Sequence, residues 1–68
     1  MNLIMNLIEE LQEEIDRCNE ILDIYKSIPQ GIFGTAMIQA DIKAAKSAIA
    51  TIDTIEMIRC YKKLKNIE

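Results

Sequence analysis

Between residues 4 and 25 the apolar positions Ile4, Ile8, Leu11, Ile15, Cys18, Leu22 and Tyr25 recur at alternating spacings of four and three. Residues so spaced are neighbours on an α-helix surface, so the pattern predicts one continuous helical stripe. With Ile8, Ile15 and Leu22 at heptad position a, Leu11, Cys18 and Tyr25 fall at d, and Leu7, Ile21 and Ile28 lie beside that seam. A two-stranded coiled coil needs only a and d, so this broader stripe predicts at least two neighbours. Glu9, Glu10, Glu13, Glu14, Asp16, Arg17, Glu20 and Asp23 supply the wet side. The residue before a proline is pushed out of the α region, so Pro29 closes a first helix over about 3–28.

Two glycines punctuate the connection PQGIFGT, Gly31 and Gly34, with Ile32 and Phe33 between them expected to cover the end of the core. Thr35 is the expected N-cap of a second helix over 36–50, with Ile38, Ile42, Ala45 and Ile49 facing in. The alanines around them suit close approach of another helix. At ATIDTIEM the chain either continues or breaks. Thr51, Ile52 and Thr54 are indifferent helix formers, and Asp53 with Glu56 three residues on matches a capping box. A break predicts a third helix over 54–66 with Ile55, Ile58, Tyr61 or Cys60, and Leu64 facing in. The fold class is thus all-α: an antiparallel helical hairpin, or a small three-helix unit, in a single domain over 1–68.

Size changes that picture. A chain of 68 residues buries only about 60% of its extended surface. Disulfides, metals or partners commonly compensate in such small domains. Two cysteines, no histidine and 50% apolar residues favour partners, so a homo-oligomer is expected. Cys18 and Cys60 are read as small buried hydrophobes that do not meet, with Cys60 near the first residues if the chain folds back at the glycine loop.

The net charge of −3 is unevenly spread: the acids concentrate in residues 1–28, and Lys43, Lys46, Arg59, Lys62, Lys63 and Lys65 follow later. In an antiparallel hairpin the late bases would return beside the early glutamates. The overall field repels nucleic acid and anionic membrane. No apolar run approaches the length of a membrane span, and the apolar start lacks a basic n-region. A cytoplasmic setting without membrane or nucleic acid is expected.

Candidate chemistry is sparse. Without histidine there is no triad, relay or thiolate–imidazole pair, and no cofactor or catalytic role is expected. The i,i+4 pairs Glu9–Glu13 and Glu10–Glu14 read as a solvated face, since bundle metal sites pair such glutamates with histidine. Gly31, Gly34 and Thr35 open a helix and could hold a small anion through backbone amides, with Arg59, Lys62 and Lys63 of another subunit completing the pocket. The opening MNLIMNLI is too apolar for one antiparallel neighbour to cover. Leu3, Ile4, Leu7, Ile8 and Leu11 are therefore the expected oligomer or partner interface. The leading expectation is a non-catalytic protein–protein interaction module (inhibitor, adaptor or regulator) acting as a homo-oligomer. The alternatives are an oligomer sequestering a small anionic or nucleotide ligand, and a purely structural oligomerisation protein.

Overall fold

A computed structural model describes residues 2–68. Its elements are α1 (Leu3–Lys26), a 3₁₀ turn (Pro29–Gly31), α2 (Ile32–Thr51) and α3 (Thr54–Lys65), with no strand among the described residues. Each helix packs on the other two, giving a slender three-helix bundle of 44 × 17 × 16 Å.

α1 starts one residue after Asn2, whose side chain accepts from the amides of Ile4 and Met5 at 3.0 and 3.2 Å. That cap satisfies two of the amides a helix start leaves unbonded. At the other end Ser27 serves as C-cap, two residues short of Pro29. Of the predicted stripe, Leu11, Ile15, Cys18 and Leu22 are buried, while Ile8 and Tyr25 pack half-buried against that core.

α2 begins earlier than expected, at Ile32 with Gly31 as N-cap, and Thr35 lies within its first turn. The 3₁₀ turn that Pro29 initiates already sets helical geometry, so no side-chain cap is required. Consequently Ile32 and Phe33 do not cover the core: they are 71% and 88% exposed. Neither glycine has a positive φ. A Cβ at Gly31 would strike the Tyr25 carbonyl, and one at Gly34 would lie 2.5 Å from Tyr25 Cε2. Both are needed because α1 comes close.

The break is present. Asp53 N donates to the Ala48 carbonyl and Ile52 N to that of Ile49, the paired bonds of a Schellman motif, with Ile52 at φ 51° where glycine is usual. Asp53 then caps α3 by accepting from Glu56 N at 3.2 Å. α3 buries Met57, Cys60 and Leu64, followed by Ile67, and leaves Ile55 and Ile58 exposed. The expected inward pair Ile55 and Ile58 is therefore corrected. The 3-4-3 spacing of Met57, Cys60, Leu64 and Ile67 is the longer stripe, and only it continues past the helix end into the core.

A third helix also reverses the chain once more, so α3 runs parallel to α1. Arg17 reaches Leu64 and Ile67, and Tyr25 reaches Glu68. The late bases, residues 59–65, therefore run level with about residues 12–19 of α1, in the parallel sense and not the antiparallel one expected. Both ion pairs among the described residues lie within a helix, Glu14–Arg17 and Glu56–Arg59. Cys60 likewise sits not near the first residues but one turn before Leu64, whose carbonyl accepts from Cys18 Sγ at 3.4 Å.

Candidate functional site

Register determines which apolar side chains the bundle can cover. Gly34 lies against Tyr25 and α2 runs back along α1, so at about 1.5 Å per residue Thr51 comes level with about residue 8. The first turn of α1 therefore overhangs the bundle. Leu3, Ile4 and Met5 are 76%, 42% and 51% exposed. Leu7 and Ile8 are half-buried against the core. Leu11 is fully buried within it, so of the five residues read from the sequence as interface it is not available to a partner. The Asn2 cap holds this overhang helical, which presents its apolar side chains as a fixed patch.

The loop end holds the residues read as an anion site. Gly31 N already donates to the Ile28 carbonyl at 2.9 Å. Gly34 abuts the Tyr25 ring, and Thr35 is half-buried. An open depression of about 360 Å³ lies here, lined by Tyr25, Lys26, Ile28, Ile32, Thr35, Ala36 and Gln39. A second, of about 240 Å³, follows between α1 and α2 beside Lys43 and Lys46. Arg59, Lys62 and Lys63 line neither. Arg59 is held by Glu56 at 2.7 Å, while Lys62 and Lys63 stand exposed on α3. In one copy the two halves of the expected pocket do not share a cavity.

No sequence pattern marks the docking of the C-terminal tail. Arg17 Nη1 donates to the Ile67 carbonyl at 2.8 Å and Nη2 to that of Leu64 at 2.7 Å, while Nε and Nη2 also hold Glu14 Oε1. The guanidinium thus satisfies carbonyls that the end of α3 leaves open, at the pole where positive charge is favoured. Tyr25 Oη adds a bond to the Glu68 carbonyl at 2.9 Å. Burial pushes both thiols, Cys18 and Cys60, above their ordinary range, which suits packing groups and not nucleophiles.

No group of three or more acidic or cysteine side chains able to hold a metal ion occurs among the described residues. Among the described residues no helix is long and apolar enough to cross a membrane. Comparison with protein-family models, curated proteins and solved structures finds no significant match.

Proposed function

We propose that this protein is a non-catalytic interaction module, an inhibitor, adaptor or regulator that acts by binding another protein and works as a homo-oligomer. One observation carries the reading: a capped, helical overhang places Leu3, Ile4 and Met5 in water beyond the bundle's own core. Fully burying such side chains is worth roughly 1.5–3 kcal/mol each, of which their present exposure forgoes about half, and a capped apolar patch at a bundle end fits recognition in the helix-in-groove manner. The acidic outer face of α1 would supply partner specificity.

The test is native mass spectrometry and sedimentation of the wild type beside Leu3→Glu/Ile4→Glu. Both positions are exposed, so the variant should keep its helical circular dichroism while losing bound protein or assembly mass. A variant that retains every association of the wild type removes the overhang from the reading. A second reading, sequestration of a small anion, draws on the depression beside Lys26 and Thr35. Retention of a small molecule in the same spectra would favour it.

A further inference from the structure

The outward face of α2 carries the pattern of a second helix seam. Phe33, Met37, Ala40, Ala44, Ser47 and Thr51 are all exposed and recur at spacings of four, three, four, three and four. None is charged, and the α2 charges Asp41, Lys43 and Lys46 lie off this stripe. Phe33 and Met37 are 88% and 60% exposed. Thr51 Oγ1 bonds back to the Ser47 carbonyl at 3.0 Å, so its polar atom needs no partner across the face. α2 turns Gln39, Lys43 and Lys46 to water on one side and its own chain covers only the side of Ile38, Ile42, Ala45 and Ala48, so the uncharged stripe between them is left open.

We infer that this face takes the same face of a second copy, with the two α2 helices antiparallel across a two-fold axis level with Ile42. The rationale is the order of sizes along the stripe. In that register Phe33 lies opposite Thr51 of the other copy, Met37 opposite Ser47, and Ala40 opposite Ala44. Large side chains meet small ones at both ends, and the alanines at the crossing let the backbones approach. Parallel pairing instead sets Phe33 on Phe33 and Ser47 on Ser47, overfilled at one end and hollow at the other. The contact is self-complementary and closed, as a two-fold requires. From Phe33 to Thr51 the face runs about 27 Å. Two such faces bury on the order of 1,000 Å² in total, near the lower bound of a specific interface. The inference rests on the reading of this protein as an association module and names its first partner.

Sedimentation equilibrium of the wild type, Ala40→Glu and the charge-matched control Lys62→Gln tests it. The expected result is a dimer for the wild type and the control. Ala40→Glu should weaken dimerisation roughly 100-fold, because two carboxylates would be buried unpaired at the crossing. Unchanged circular dichroism of Ala40→Glu verifies its fold. Independently, a mixture of Ala40→Cys and Ala44→Cys chains should oxidise to the mixed dimer in preference to like-with-like dimers. Preferential Ala40→Cys self-linking would mean parallel helices and overturn the arrangement. An oligomer indifferent to Ala40→Glu overturns the seam alone and leaves the association reading standing. A wild type that stays monomeric overturns the seam and the homo-oligomer together.

Discussion

Arg17→Met isolates the clasp that joins the end of α3 to the middle of α1. Methionine keeps an apolar stem of similar reach, so packing along α1 is retained and only the guanidinium fork is removed. Two charge-assisted bonds are lost, those to the Leu64 and Ile67 carbonyls at 2.7 and 2.8 Å. Such bonds contribute about 1.5–3 kcal/mol each when dry. The Arg17 side chain is 38% exposed, so water can replace part of what it gives. The pair with Glu14 is semi-exposed and adds at most about 0.5 kcal/mol. Discounting for solvent leaves about 2 kcal/mol.

For a domain of this size about 1 kcal/mol corresponds to roughly 4–8 °C, so the midpoint should fall by about 8–16 °C. Thermal melts must be run at one protein concentration, since an associating chain melts in a concentration-dependent way. Hydrogen exchange locates the effect: amides of residues 64–68 should lose protection before those of α2. Arg17→Lys should fall between, because one ammonium cannot reproduce the planar fork. A Met variant melting within 2–3 °C of wild type (roughly 0.5 kcal/mol) would refute the clasp as a stabilising contact.

Gly34→Ala should destabilise by about 1–3 kcal/mol, because its new methyl meets the Tyr25 ring. Adding Tyr25→Ala should then cost less than the separate effects combined, a coupling that urea titrations of the double-mutant cycle will read. Asp53→Ala removes the α3 cap and should lower stability by about 1 kcal/mol, visible as a shifted urea midpoint with unchanged slope. Burial raises both thiols in the folded chain, so the neutral form is favoured there. Their contribution to stability should be complete below the ordinary thiol value of about 8.5 and be lost as pH rises through the folded values. Urea midpoints at pH 7 and pH 10 against a Cys18→Ala/Cys60→Ala variant will show whether that slope belongs to the thiols.

Local signals were legible where competition was absent. The α1 stripe has one apolar face and one acidic face, so its phase was fixed from Leu11 to Leu22. Asp53 and Glu56 at cap spacing marked the α3 start correctly. α3 itself offers two apolar faces, one through Ile55 and Ile58 and one through Met57, Cys60 and Leu64. Only the tertiary position of Ile67, beyond the helix, decides between them. Thr35 resembles a cap, but helix initiation had already occurred at Pro29, and a cap residue has no force inside a formed turn. Arg17 reads as wet in the sequence because its partners lie 47 and 50 residues away. Their carbonyls exist as acceptors only once α3 has ended beside it. By spacing alone the alanines of α2 read as surroundings of the inward stripe. That they are interleaved with Phe33 and Met37 on a second stripe is visible in the sequence once exposure is known.

The two apolar surfaces also differ in what holds them, and this constrains how they work together. The overhang sits at the end of α1 that no tail clasps, so its order depends on the Asn2 cap and on whatever covers Leu3 and Ile4. The α2 face is backed along its length by Ile38, Ile42 and Ala45 on the core side, so it is rigid before any partner arrives. A rigid face suits a permanent contact, and a terminal patch suits an exchangeable one. With α2 antiparallel across a two-fold axis, the overhangs project from opposite ends of the dimer, because each lies level with the Thr51 end of its own α2. Such a dimer offers two identical patches to a repetitive or two-sited partner, and avidity for that partner should collapse in Ala40→Glu although the overhang itself is untouched. Surface binding measured at two densities of immobilised partner would separate this from single-site affinity: Ala40→Glu should equal the wild type at low density and fall behind only at high density.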